Sequence, residues 1–159
     1  FSSFARMPEA EIKLDNLSKC LEEAYLLYFN TRKDIKLNLI KPENDIYFHF
    51  DTLQISRCFG NLIKNAIEAV EKIPNPAVEV LLATDDKNIT IEIKDNGVGI
   101  DEKMLSKIFE PYFTTKTKGT GLGLSIVKRI IEDHGGKIKI EKNKNMAGTT
   151  SLINFEYNA

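Results

Sequence analysis

Two glycine-rich segments constrain this chain more than any other feature. Residues 95–100 read Asp-Asn-Gly-Val-Gly-Ile and directly follow the alternating run Ile89-Thr-Ile-Glu-Ile93. Residues 119–124 read Gly-Thr-Gly-Leu-Gly-Leu and run into an amphipathic stretch that begins near Leu122 and reaches His134. Glycine permits tight turns and close approach to the backbone, so a strand end and a helix start are both left open to a ligand. Glycines ahead of a helix also let successive N–H groups curl around an anion, which the helix dipole favours. The second segment is not a Walker loop, because Gly-Lys-Ser/Thr is missing. It is not a dinucleotide fingerprint either, because no strand precedes it and no Gly-x-Gly-x-x-Gly is present.

Upstream lies the longest helical pattern, from Asp51 or Thr52 to Ile73. Its apolar residues Ile55, Phe59, Leu62, Ile63, Ala66, Val70 and Ile73 fall on one arc at about 100° per residue, and Pro74 and Pro76 end it. Asn61 and Asn65 are four apart and share a face beside that arc. An amide oxygen is a reasonable hard ligand for Mg²⁺, which keeps waters and bridges phosphate oxygens; taken alone, two such asparagines read as decoration of a solvated face. Asp95, at a strand end, can accept a hydrogen bond from an amino group of a base, although an Asn-Gly turn by itself is ordinary. Between the glycine segments, Phe109-Glu-Pro-Tyr-Phe-Thr-Thr-Lys116 reads as a lid anchored by Phe109, Tyr112 and Phe113. Lys116 and Lys118 are candidate phosphate contacts or plain solvent-exposed charges.

The remaining pattern sets the architecture. Asp15 can cap a helix to about Phe29. Lys36–Ile40 and Ile46–Phe50 alternate like strands around a Pro42-Glu-Asn-Asp45 turn, which suggests a hairpin. Val78–Ala83 and Ile89–Ile93 read as adjacent strands, Asp101–Phe109 as a short helix, and Gly135-Gly136 as the stop of the helix from Leu122. Lys137–Glu141 and Thr149–Phe155 finish as strands. The expectation is an α+β fold, a two-layer α/β sandwich with a mixed sheet of about five strands covered on one face by three helices.

At 159 residues, 42% hydrophobic and 28% charged, the chain suits one ordinary globular domain. A net charge of -1 offers no basic footprint, which argues against nucleic acid as a partner. Cys20 and Cys58 lack metal-ligand spacing and read as buried, reduced residues rather than a disulfide. No run approaches the roughly 20 apolar residues of a membrane span, and no signal peptide is present. The chain opens on Phe1 rather than Met, which reads as a piece of something longer.

The order Asn61-Leu-Ile-Lys-Asn65-Ala, Asp95-Asn-Gly-Val-Gly99, Phe109–Lys116 and Gly119–Leu124 resembles the catalytic and ATP-binding domain of bacterial sensor histidine kinases. These belong to the gyrase/Hsp90/histidine-kinase superfamily with its Bergerat-type ATP-binding fold. The resemblance covers roughly residues 30–157. It implies that 30–159 form the catalytic and ATP-binding domain, and that 1–29 hold the end of the acceptor-helix hairpin or linker and an N-terminal helix. It implies ATP and Mg²⁺ as cofactors, with Asn65 as the Mg²⁺ ligand and Asp95 as the adenine acceptor. Gly97, Gly99 and Ile100 would line the adenine pocket, with Thr149 of Gly148-Thr-Thr150 near Asp95. Gly119, Thr120, Gly121, Leu122, Gly123 and Leu124 would surround the phosphates; Lys64, like Lys116, is either a phosphate contact or a plain solubility charge. Asn61 stands where the gyrase and Hsp90 relatives carry a water-activating glutamate. An amide cannot act as that base, which points to phosphate transfer to something other than water.

The implied enzyme is a protein-histidine kinase, an ATP-dependent phosphotransferase. Yet the chain holds only His49, in a strand pattern, and His134, before the Gly-Gly stop, and neither is followed by a carboxylate. A capping or packing role suits His134 better than catalysis. The phosphoacceptor histidine is therefore expected on an absent dimerisation hairpin, reached in cis or in trans, and no catalytic residue is identified here. Onward transfer would go to an aspartate of a response-regulator receiver domain. Phe1-Ser-Ser-Phe-Ala-Arg-Met-Pro8 and Asn65-Ala-Ile-Glu-Ala69 also resemble nitrogen-regulation sensor kinases of the NtrY type, which are anchored in the bacterial inner membrane with a cytoplasmic, homodimeric kinase core. Without its hairpin this chain is expected to be monomeric. The alternative is a nucleotide-sensing protein-interaction module related to anti-sigma kinases. A gyrase-like hydrolase is disfavoured by Asn61.

Overall fold

The computed structural model describes residues 8–113 and 123–157. In chain order the elements are β1 (Lys13–Asn16), α1 (Leu17–Phe29), β2 (Lys36–Ile40), β3 (Tyr47–Phe50), α2 (Thr52–Val70), β4 (Ala77–Thr84), β5 (Asn88–Asp95), α3 (Glu102–Leu105), α4 (Gly123–Asp133), β6 (Lys137–Lys142) and β7 (Thr149–Glu156). A five-stranded mixed sheet runs β2-β4-β5-β7-β6, and β1 pairs with β3 in a separate two-stranded sheet. Only the β2–β4 pair is parallel; β4–β5, β5–β7 and β6–β7 are antiparallel. The α+β two-layer expectation holds, with α1, α2 and α4 supplying the helical layer and α3 adding a single turn.

Strand alternation assigns the faces. Val78, Val80 and Leu82 of β4 and Ile89, Ile91 and Ile93 of β5 are buried, as are Ile153 and Phe155 of β7. Against them pack Ile55, Phe59, Leu62, Ile63, Ala66 and Val70 of α2 and Ile126, Val127, Ile130 and Ile131 of α4. Leu17, Leu21 and Ala24 of α1 join the same core. Cys20 and Cys58 are free and buried, and burial pushes each thiol up to about 12, so both are held as inert thiols.

Several local expectations are corrected. Lys36–Ile40 and Ile46–Phe50 do not form a hairpin: β2 pairs in parallel with β4, while β3 pairs with β1, a strand the sequence did not announce. Parallel pairing buries Leu37 beside Val78, and the chain reaches β4 by way of β3 and α2. The cap of α1 is Asn16, whose side chain accepts from the Lys19 N–H, and not Asp15. Asp15 instead accepts from the Thr52 hydroxyl and the Asn16 N–H. The helix expected over 101–109 is shorter, and α2 ends at Val70, leaving Ile73 half-buried against the core. At the end of α4 the Gly136 N–H reaches Ile131 O at 2.9 Å with Gly135 at φ 75°, the expected glycine stop.

Three parts of the chain meet at Asp51. Its Oδ1 caps α2 through the Gln54 N–H (3.0 Å), and its Oδ2 accepts the Glu11 N–H (2.7 Å). Its own N–H donates to Nε2 of His134 (3.0 Å), whose Nδ1 lies 2.7 Å from Ile130 O. His134 is thus a packed, hydrogen-bonded residue at the end of α4. Burial by itself would raise the Asp51 carboxyl, but the N–H groups of Gln54 and Glu11 and the nearby His134 outweigh it and hold the group below its usual range. That stabilisation is present above the ordinary carboxylate range and is lost as pH falls through the lowered value. Asp51→Ala is expected to cost about 1–2 kcal/mol at neutral pH. In urea unfolding the gap to wild type should narrow toward acid pH; an unchanged midpoint at neutral pH would contradict the cap.

Candidate nucleotide site

The site grows from one row of residues on α2. Asn61, Asn65 and Ala69 follow one another at four-residue spacing, and all three are half-buried along the edge of the helix. The loop after β5 lies on the last of them. A Cβ on Gly97 would stand 2.4 Å from Ala69 O, so only glycine lets the backbone come this close. Asn65 is therefore one helical turn from the point where the loop touches α2, and the groove edge and the loop belong to one locale.

Asp95 ends β5 in register with the helix-facing isoleucines and is buried. Its Oδ1 accepts two backbone N–H groups, from Gly97 at 2.9 Å and Thr149 at 3.3 Å. Its Oδ2 accepts no hydrogen bond from the described residues, and Gln54 Oε1 is the only sealed-off side-chain polar atom among them that lacks a partner. Oδ2 is therefore not sealed off, and no described residue donates to it. Burial raises the Asp95 carboxyl above its usual range, and the Gly97 and Thr149 N–H groups offset only part of that.

The remaining loop contacts hold this carboxylate in place. Asn96 accepts the Ala77 N–H (2.9 Å) and donates to Asn75 O (2.9 Å), tying the loop to the start of β4. Gly99 adopts φ 81° and Gly148 φ 106°, and a Cβ on Gly148 would lie 2.0 Å from Asp95 O. Asn143, unremarked in the sequence, donates to Asp95 O at 2.7 Å. No motif signals it, because its partner lies 48 residues away and is a main-chain atom. A cleft of about 360 Å³ beside the loop is lined by Val98, Gly99, Ile100, Asp101, Glu102 and Lys142. It shares Gly99 and Ile100 with the predicted set but not Asn65 or Asp95.

Of the other predicted residues, Lys64 is exposed on α2, Gly123 opens α4 in open space, and Leu124 packs against the core. Lys116, Gly119, Thr120, Gly121 and Leu122 lie outside the described residues, as does Lys118. Among the described residues no group of three His, Cys, Asp or Glu side chains could hold a metal. A half-buried amide such as Asn65 suits Mg²⁺, which takes oxygen ligands and completes its shell with water and phosphate oxygens.

Residues 50–158 match the model for histidine kinase-, DNA gyrase B- and HSP90-like ATPases. The catalytic domain of histidine kinase ThkA superposes with a TM-score of 0.82 over 92% of this chain and 96% of that one, at 33% identity. This chain belongs to the histidine-kinase family of ATP-binding catalytic domains. ThkA has also been solved in complex with the response regulator protein TrrA, where this domain covers 42% of the kinase chain at 29% identity and a TM-score of 0.78, with 93% of this chain aligned. Sporulation kinase A of Bacillus subtilis is 40% identical over 88% of this chain and 23% of its own length. The nitrogen regulation protein NtrY of Azorhizobium caulinodans is 34% identical over 88% of this chain and 19% of its own length. The chain thus spans about a fifth of these two curated relatives. No helix among the described residues is long and apolar enough to cross a membrane.

The contact of Gly97 with α2 is a direct target in this catalytic domain. Gly97→Ala forces a methyl group into Ala69 O and is expected to destabilise the fold by about 1–3 kcal/mol. Chemical unfolding measures it; an alanine variant as stable as wild type would contradict the close contact between residue 97 and Ala69.

Proposed function

We propose that this domain binds Mg-ATP between the asparagine row of α2 and the loop after β5, and delivers the γ-phosphate to a histidine on a dimerisation hairpin outside this chain. The observation that carries the reading is the Asp95 carboxylate, with Oδ1 fixed by two N–H groups and Oδ2 left open. Oδ2 accepts the adenine amino group, Gly97, Gly99 and Ile100 line the base, and Thr149 holds the carboxylate through its N–H. Asn65 supplies an amide oxygen to Mg²⁺, which when bound neutralises phosphate charge; Asn61 and Lys64 lie beside it on α2. Gly119 to Leu124 and Lys116 are assigned to the phosphates by sequence alone.

Phosphoryl transfer needs positioning and charge stabilisation more than covalent chemistry from the protein. Asn61 offers an amide where hydrolysis would need a base, which supports transfer to a side chain over release to water. The ThkA–TrrA complex supports a response-regulator receiver domain as the onward acceptor. Likeness to NtrY supports a parent sensor of the nitrogen-regulation type, homodimeric and inner-membrane-anchored, with this domain on the cytoplasmic side and monomeric on its own.

The test uses the parent protein with its hairpin and γ-labelled ATP. Label is expected on the hairpin histidine; nucleotide binding with no transferred label would favour a nucleotide-sensing interaction module. Asp95→Asn removes a charged acceptor worth about 1.5–3 kcal/mol, so KM for ATP should rise at least about tenfold while kcat holds. Because burial raises the Asp95 carboxyl, protonation begins at a higher pH than for an ordinary carboxylate. ATP affinity in the wild type should therefore weaken toward acid earlier than an exposed aspartate would require, and the asparagine variant should lack that limb. An unchanged KM in Asp95→Asn would remove Asp95 from the site.

A further inference from the structure

We propose that Asn143 is a positioning residue that fixes how Asp95 meets the base, and thereby sets the preference for adenine over guanine. The inference rests on the reading of Asp95 as the adenine acceptor.

Asn143 follows β6 directly and starts the turn that leads to Gly148. Its Nδ2 donates to Asp95 O at 2.7 Å and to Ala147 O at 3.0 Å. Its Oδ1 accepts from the Thr150 hydroxyl, and its own N–H donates to Gly148 O at 3.0 Å. One amide orientation satisfies this set. Turned over, the side chain would set an oxygen against two carbonyl oxygens.

The sheet register explains why a side chain is needed here. The β5–β7 ladder runs as far as Lys94 opposite Thr150. Beyond that rung Gly148 presses against Asp95 O, and the Asp95 carbonyl takes its donor from Asn143. The same amide closes the turn that delivers the Thr149 N–H to Asp95 Oδ1. Asn143 thus holds the main chain of Asp95 and the donor to its side chain together.

Base selection at such a carboxylate depends on placement. Adenine presents an amino group to Oδ2, whereas guanine presents a carbonyl at the corresponding position, which leaves the acceptor unpaired and repelled. A shift of about 1 Å is enough to erode that difference. An amide that merely stapled the turn would change stability and leave the preference between bases alone.

Asn143→Asp keeps the size of the side chain and an acceptor for Thr150, but turns the donor into an oxygen facing Asp95 O and Ala147 O. Thr150→Val removes the hydroxyl that orients the amide. Dissociation constants for ATP and GTP are measured by calorimetry on wild type and both variants, with thermal unfolding of each without nucleotide. The ATP-to-GTP preference is expected to fall about tenfold in Asn143→Asp and about threefold in Thr150→Val, through ATP affinity, with GTP affinity unchanged. A folded Asn143→Asp protein with the wild-type preference overturns the inference and leaves Asn143 a turn staple. If that variant does not fold, Thr150→Val decides in the same way. A wild-type domain without preference for ATP overturns the assignment of Asp95 itself, and this inference with it.

Discussion

The site depends on one close approach. Ala69 O of α2 occupies the space that a side chain on residue 97 would need. Glycine there brings the loop after β5 onto the helix that carries Asn61 and Asn65, and so joins two sequence motifs that are thirty residues apart. Gly148 does the same on the other side, pressing the start of β7 against the carbonyl of Asp95. The carboxylate between them is buried, fixed at one oxygen and open at the other. Burial raises its pKa, which leaves a strong acceptor in a weakly solvated place.

The rest of the molecule keeps that approach rigid. The apolar face of α2 is locked to β4 and β5, and α4 packs beside it with Cys58 and Val127 in contact. Asp51 ties the start of α2 to the end of α4 through His134 and to the incoming chain through Glu11. His134 is thereby committed to structure. Along the α2 row itself, Asn61 and Asn65 present amides, which can bind but cannot act as a base.

Sequence reading succeeded where local chemistry determined the outcome. The period of α2, the strand ending at Asp95, and the Gly135-Gly136 stop all follow from residues within one or two turns of each other. It failed where tertiary contacts chose between local options. Lys36–Ile40 had two strands within reach, and burial of Leu37 beside Val78 decided for the distant parallel one. Asn16 displaced Asp15 as the cap of α1 because Asp15 bonds to Thr52, a residue on another helix. Asn143 was invisible for the same reason, since its importance lies in a carbonyl oxygen that no side-chain pattern reports. For Asn65 and Asp95 the roles came from family resemblance, and the geometry adds why they share a locale.

If the α2 row and the loop after β5 form one nucleotide site, a bound nucleotide must perturb both together. Amide NMR of the isotopically labelled domain, titrated with a non-hydrolysable ATP analogue and Mg²⁺, tests it most directly. Signals from Asn61, Asn65, Gly97, Gly99 and Thr149 are expected to shift together with one dissociation constant, while those of the outward sheet face at Thr90 and Leu152 stay in place. Shifts confined to the loop, or to α2, would contradict it.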